Sequence, residues 1–581
     1  MPGGGSGGRG GRTAGPSAGA PGGGRGASRG AAGGVGTGGR GGATGGAGGG
    51  GNPDGAEDLA PAPDLAASDT DPSDSGGDSP PVVYNCQALL AAPGPVSEWA
   101  KPAGAGQPGL TYKAINAAGD RMMDFSHAGY LGGGVALPTP PVVQTVGPSG
   151  SDDTTAIQAA IDAVGARAPN EGFRGAVLLK PGSYQLGGQL RITSSGVVLR
   201  GSGSGAGGTE LRFTGAPRRV MFVTGTGNRT LDTNVATIVD EYVPAGARSF
   251  RVNSPAGFNV GDAVVVGRPV TEAWIALLGM DKLVRNGAAQ TWIRAGSVLR
   301  GERQITAITG DQVTVDVPLP DSFDARYVKP PGGSLAKYSF PGRITQVGIE
   351  HFRAVGSPRA ENNDFHFVEL AAVKDGWVRD IVAHDFTSGV VVRDSVSRVT
   401  VEDTLISHTP VAYFTAAAPS DFNIDGSQIF IHRGGSKGGN KIFYHSTAGG
   451  VWGPNVILGF TGSGMRSHIQ PHMRWATGLL TDSSSLDDGN IEYINRTTAG
   501  SGHGWTMGWG VIWNSRATTI RSEQPEGTAN WAIGNVGNRA GNGVFDSHGT
   551  PVVPGSLYLA QLCARLGPAA LAAVGRDGRD P

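Results

Sequence analysis

Only two cysteines, Cys86 and Cys563, occur in 581 residues. That number excludes a disulfide-dense scaffold or a cysteine-built metal cluster as the organising principle. Whether the two pair is open at this level. No apolar run approaches the length needed to cross a bilayer, so no membrane span is expected. Nor is there an excess of charge of one sign, since 47 Lys and Arg stand against 48 Asp and Glu. Such a balance lacks the basic field that makes nucleic acid a main partner. The first residues also lack the apolar core of a leader. An acidic Pro/Ala/Asp stretch leading into a β-rich domain nevertheless suits an exported protein, and an extracellular or cell-envelope location is expected.

Glycine is what the sequence has in abundance, 100 residues. Residues 1–50 hold 26 of them with five Arg and no acid, and residues 51–80 hold eight Asp or Glu and no base. Neither stretch can bury enough apolar surface to offset chain entropy, so 1–80 is expected to be a disordered tether. Residues 81–150 read as an irregular Pro- and Gly-rich segment. The stretch "DDTTAIQAAIDAVGA" (152–166) predicts a helix. Asp152 or Asp153 stands at its N-cap, and Ile157, Ala160, Ile161 and Val164 share one face.

Short apolar runs separated by Gly, Pro and Ser follow in "GAVLLKPGSYQLGGQLRITSSGVVLRGSG" (175–203). That punctuation predicts short strands in a solenoid or sandwich. Later "WVRDIVAHDF" begins at 377, "VTVEDTLISH" at 399 and "FNIDGSQIFI" at 422, with further strands at 490 and 510. A strand recurring roughly every 20–25 residues predicts stacked coils, each burying its apolar positions on the next. Residues 240–345 break the rhythm and read as an inserted β subdomain. The segment "SLYLAQLCARLGPAALAAV" (556–574) reads as a terminal helix, expected to cover the edge of the last coil.

On these residues the chain resembles the pectate-lyase-like right-handed β-helix superfamily. The motifs "SDDTTAIQAAIDAV", "GAVLLKPGSYQLGGQLRITSSGVVLRGSG", "MMDFSHAGYLGGG" and "SLYLAQLCARLG" carry the likeness over about 112–574. The resemblance implies an all-β, single-stranded right-handed parallel β-helix over 151–575. An N-terminal helical cap, the β insertion and the C-terminal helix complete the expected architecture. It also implies a groove along one parallel sheet. The expected activity is that of a polysaccharide lyase cleaving an acidic, uronate-containing polymer by β-elimination. A polygalacturonase-like hydrolase and a non-catalytic glycan-binding adhesion protein are the alternatives, because the fold hosts many activities.

A lyase must neutralise a uronate carboxylate, remove the C5 proton and protonate the leaving oxygen. In "SHIQPHMRWATGLL" (467–480), Arg474 can grip a carboxylate with two prongs and His472 titrates near neutrality. Trp475 offers a flat face for a sugar, and His468 lies close by in sequence. In "GSGHGWTMGWGVIWN" (500–514), His503 sits between two glycines ahead of Trp505 and Trp509. The expected catalytic residues are therefore His472, Arg474 and His503. The expected substrate-binding residues are His468, Trp475, Trp505 and Trp509, with Lys437 and Lys441 bordering an anionic groove.

The motifs "NID" (423–425), "DD" (487–488) and "GHG" (502–504) follow the order of a polygalacturonase site. Asp487 and Asp488, adjacent on a strand, would however point to opposite faces. No cofactor is certain. The cluster Glu361, Asp364, His366 and Glu369 is the expected place for a Ca²⁺ ion, for which the carboxylate oxygens are hard ligands of the right type.

Overall fold

The structure is a computed structural model that describes residues 85–104, 109–216, 218–356, 365–409, 420–438, 445–446, 449–464 and 468–575. The expectation for residues 1–80 lies outside them. The chain winds into parallel coils. One wall is continuous in register: Ala176 pairs with Val198, Val198 with Gly348, Gly348 with Trp377 and Trp377 with Thr400. The column continues through Phe430, Val456, Leu480, Val511, Trp531 and Val544. Every step is parallel, which makes the body a parallel β-helix. Right-handed coiling is the hand that strand twist imposes on such crossovers.

Alternation decides what each coil buries. One column along this wall, Val177, Leu199, Ile349, Val378, Val401, Ile431, Ile457 and Ile512, belongs to the interior core. Its sequence neighbours point outward. Between the first wall and the second, one residue per coil takes a left-handed conformation: His351, Asp380, Asp403, Arg433, Gly459, Ser483, Asn514 and Gly534. A single left-handed residue bends the strand sharply without breaking the ladders on either side, and glycine does so without strain.

The register differs from the sequence reading at one strand. "FNIDG" does not stack on the strand starting at 399. Phe422 pairs with Val390 on a third wall, and Ser427–His432 stacks on Ser397–Ser407 instead. Apolar alternation alone does not say which wall a strand belongs to.

The outward face of the first wall is not left to solvent. Met122, Met123, Phe125 and Ala128 lie along it with Phe430, Val456, Leu458, Leu480, Val511, Trp513 and Trp531. The helix Leu557–Leu566 completes this layer. It lies on the flank, where Tyr558 stacks on Phe430 at 4.5 Å and Ser556 donates to Asp482 at 2.8 Å. The expected cover over the last coil is thus a cover over a side wall. Cys86, on the helix Cys86–Ala91, is disulfide-bonded to Cys563 with Cα atoms 5.7 Å apart, fastening the leading segment to the terminal helix. Because it crosses 477 residues of sequence, the bond constrains nearly the whole folded body.

The helix Thr154–Gly165 buries Ile157, Ala160, Ile161 and Val164 against the first coils. Asp152 accepts from the Thr154 backbone at 2.9 Å, and Asp153 turns back to the Ser149 backbone at 2.9 Å. The insertion is a six-stranded antiparallel sheet formed by strands from Thr230–Thr237 to Ser334–Ser339. Its own core, with Trp274 and Trp292, includes Trp452 and Trp475 of the coils.

Candidate active site

Arg474 and Trp475 are consecutive residues with positive φ, 57° and 64°, just before the strand Ala476–Asp482. Left-handed backbone costs a side-chain-bearing residue roughly 1–2 kcal/mol. Tertiary contacts hold it. Trp475 is completely buried, wedged against Trp274 at 5.1 Å and Trp292 at 5.9 Å, both edge-on. Its indole N–H donates to Asp321 at 2.8 Å. Arg474 is thereby turned outward and half-buried, and its guanidinium donates to Ser501 Oγ at 2.7 Å.

The loop carrying Ser501 and His503 is pinned by the insertion. Arg285 and Gln290 both donate to the Gly500 carbonyl, at 2.8 Å and 3.1 Å. Gly504 has φ +56°, and a Cβ there would sit 2.4 Å from the Trp292 ring, so no other residue fits. The loop brings His503 edge-on to His472, with ring centroids 4.6 Å apart. Arg496 donates to the His472 carbonyl at 3.0 Å.

Two histidines inside a ring of cations cannot hold their protons. Burial first, then His503, Arg496 and Arg474, lower His472 to about 4. Burial, then Arg496, Arg474 and Arg285, lower His503 to about 4. Both imidazoles are therefore neutral proton acceptors at pH 7. Arg474 has no carboxylate within ion-pair reach among the described residues, and its buried Nε has no hydrogen-bond partner.

Arg474 also borders a groove of ≈ 680 Å³ between the insertion and the coils. Arg229, Arg300, Glu302 and Arg393 line it, with Asp394, Asp425, Ser427 and Trp452. Arg229 is paired with Glu302 at 3.1 Å, and Arg393 with Glu369 at 2.9 Å. Exposed Arg300 has no carboxylate partner among the described residues. Ser427 Oγ and Trp452 Nε1 are buried without partners. The groove therefore presents two cations, Arg300 and Arg474, without a carboxylate partner among the described residues, beside the carboxylates of Asp394 and Asp425.

The structure brings together His472, Arg474 and His503 but rearranges the rest of the expected site. Trp475 and Trp509 offer no face to a sugar: both are buried, and both indoles donate to Asp321, at 2.8 Å and 2.9 Å. The local density of tryptophan comes from outward coil positions covered by a second layer. Trp505 is half-buried, with its N–H on the Leu278 carbonyl at 3.1 Å. His468 is engaged by Glu492 at 3.5 Å and Asn490 at 3.4 Å, in the following coil. Lys437 is exposed on the strand Gly435–Lys437, and Lys441 lies outside the described residues.

Asp487 and Asp488 are exposed at the turn after the strand Ser485–Leu486, rather than set in a strand as anticipated. The expected Ca²⁺ set is only partly described, because Glu361 and Asp364 lie outside the described residues. Glu369 is committed to Arg219 at 2.8 Å and Arg393 at 2.9 Å, so it is a salt-bridge anchor and not a free metal ligand. Among the described residues no cluster of His, Cys, Asp and Glu could hold a metal ion. No described helix is long and apolar enough to cross a membrane.

Sequence reasoning missed Arg496, Arg285 and Arg300. Arg496, seven residues before His503, had a faint signal in its nearness to the glycine-rich loop. Arg285 and Arg300 had none, since only folding carries the insertion to the coils.

No family model matches the chain, and no curated protein matches it. Solved structures that it is similar to include the tailspike protein gp49 of Pseudomonas phage LKA1, at 14% identity and a TM-score of 0.33 over 68% of this chain and 71% of that one. The polygalacturonase of Erwinia carotovora ssp. carotovora matches at 11% identity and 0.32, over 71% of this chain and 96% of that one. The A-module of the Azotobacter vinelandii mannuronan C-5 epimerase AlgE6 matches at 12% and 0.28, over 74% and 99%.

Proposed function

We propose that this protein is an extracellular polysaccharide lyase that cleaves a uronate-containing polymer by β-elimination, within the pectate-lyase-like branch that its motifs resemble. One observation carries the reading. A pair of imidazoles kept neutral at pH 7 stands beside Arg474, a cation with no carboxylate of its own among the described residues. Elimination asks for that combination, a neutral base and a cation waiting for a carboxylate.

In this reading Arg474 receives the uronate carboxylate and withdraws charge from C5. His472, the more exposed imidazole, takes the C5 proton. The C–O bond to the leaving sugar breaks as the C4–C5 double bond forms. The imidazolium returns its proton to the leaving oxygen, which closes the balance. His503 is a positioning residue that keeps His472 oriented and unprotonated. Arg300 on the opposite wall of the groove would meet a further acidic sugar. The disulfide between Cys86 and Cys563 supports export to an oxidising compartment.

A screen of acidic and neutral polysaccharides tests this, with unsaturated-product absorbance and reducing ends read together. Absorbance rising with reducing ends on an acidic polymer is the expected result. Reducing ends alone would mean hydrolysis, and binding with neither product would mean an adhesion role.

A further inference from the structure

A second cluster of reactive side chains lies at the end of the second wall, outside the site just described. Val355, His384, Ser407 and Lys437 form one outward column, in register across four coils. Ser407 Oγ lies 2.8 Å from His384 Nδ1. Its other acceptor, the Ala383 carbonyl, is at the 3.5 Å limit of a hydrogen bond. On the far side of the ring, His384 Nε2 lies 3.1 Å from Asp385 Oδ2 and 3.1 Å from Thr409 Oγ1. Asp385 is in turn held by Thr409, whose backbone N–H donates to Oδ1 at 2.7 Å and whose hydroxyl donates to Oδ2 at 2.9 Å.

Donor accounting fixes the proton on the ring. Thr409 gives its hydroxyl hydrogen to Asp385, so its oxygen accepts from Nε2–H, and Nδ1 is left as the acceptor facing the Ser407 hydroxyl. Burial alone would raise the Asp385 carboxyl, but the hydrogen bonds from His384 and Thr409 outweigh it and hold the group ionised, below its usual range. The His384 side chain remains 29% exposed while that of Asp385 is 6% exposed, so the base reaches solvent and its orienting acid does not. Ser407 is partly exposed.

We propose that Ser407, His384 and Asp385 form a Ser–His–Asp hydrolytic site for acyl esters. Such a constellation is recognised by the roles of its groups and not by their order in sequence. Ser407 Oγ attacks the acyl carbonyl carbon while its proton passes to His384 Nδ1. Asp385, 3.1 Å from Nε2, stabilises the imidazolium by its charge. The tetrahedral intermediate collapses, the bond to the alcohol oxygen breaks, and His384 returns the proton to that oxygen. Water then attacks acyl-Ser407 with the same nitrogen as base, releasing the carboxylic acid and restoring the serine. The oxyanion needs a cationic or N–H donor near Ser407. Lys437 stands one strand over in the same column, a spacing of about 4.8 Å between backbones, and is exposed.

The test uses the full chain with p-nitrophenyl acetate and a fluorophosphonate probe followed by peptide mapping. The expected results are saturable ester hydrolysis, probe attachment at Ser407, and no attachment in His384→Ala. Ser407→Ala should lower kcat/KM by about 10³-fold or more while keeping the wild-type thermal transition. Labelling of the wild-type protein needs no variant, so an unstable Ser407→Ala protein still leaves a decision. Probe attachment at another residue, no attachment at all, or an unchanged rate in folded Ser407→Ala would each overturn the proposal. Neither readout involves cleavage of a uronate polymer, so this proposal and the elimination reading succeed or fail separately.

Discussion

The indole N–H of Trp475 donates to Asp321 Oδ2 at 2.8 Å, joining a coil to the insertion across 154 positions of sequence. Asp321 also accepts from Trp509 at 2.9 Å and lies 3.4 Å from Arg268, itself buried and 4.4 Å from the Trp274 ring. This contact sets the direction in which Arg474, the preceding residue, points.

Removing that carboxylate leaves a buried guanidinium and two indoles without their acceptor. Asp321→Ala is expected to destabilise the protein by about 3–5 kcal/mol, the cost of breaking a buried pair on one side. The denaturant midpoint should fall while the slope stays constant. A midpoint near wild type would show that the insertion docks without this contact.

His472→Ala should lower turnover on the polymer identified by the screen by ~10²–10⁴-fold, the usual loss of general base help. Arg474→Lys should lower kcat/KM on the order of tenfold or more, because one ammonium cannot copy a planar two-pronged contact. Asp487→Asn should leave turnover near wild type. Steady-state kinetics decides, and a severe loss in Asp487→Asn with normal turnover in His472→Ala would replace elimination by hydrolysis.

The lowered histidines set a pH dependence. His472 and His503 titrate at about 4 in the folded protein and near 6.5 unfolded. Between those values the unfolded chain binds more protons, so their contribution to stability is present above about 6.5 and is lost as pH falls towards 4. If His472 is the base, the acid limb of kcat/KM should fall near pH 4. A limb near pH 6.5 would show that the base is an ordinary exposed histidine.

Asp482 works in the opposite direction. Burial, offset only in part by hydrogen bonds from Tyr558, Ser556, Ser483 and Leu557, raises its carboxyl to about 7. The folded state then holds a proton that the unfolded state has released, so this contribution is lost as pH rises from about 4 to about 7. Asp482→Asn should flatten the decline in thermal midpoint over that range. An unchanged slope would place the effect elsewhere.

Reduction of the bond between Cys86 and Cys563 should cost about 2–5 kcal/mol and expose the leading segment to protease before the coils. Limited proteolysis with and without reductant, read by mass spectrometry, checks the order of cleavage.

The coils themselves were legible in the sequence. The strands beginning near 377 and 399 stack as their spacing implied, and the amphipathic face of the helix Thr154–Gly165 is the one its apolar positions marked. Such features depend on residues close in the chain, where periodicity is a sufficient guide. His472, Arg474 and His503 were also marked by residue type and by the glycines around His503. The roles of the tryptophans were decided only by tertiary structure. An outward position on a coil is a solvent position unless something covers it, and here the insertion covers Trp475 while the leading segment and terminal helix cover Trp513 and Trp531. The column that sets Ser407 beside His384 was hidden for the same reason: residues one coil apart meet at a register that depends on the length of every turn between them. Composition and spacing determined that coils form. The lengths of the turns and the docking of distant segments decided which side chains meet.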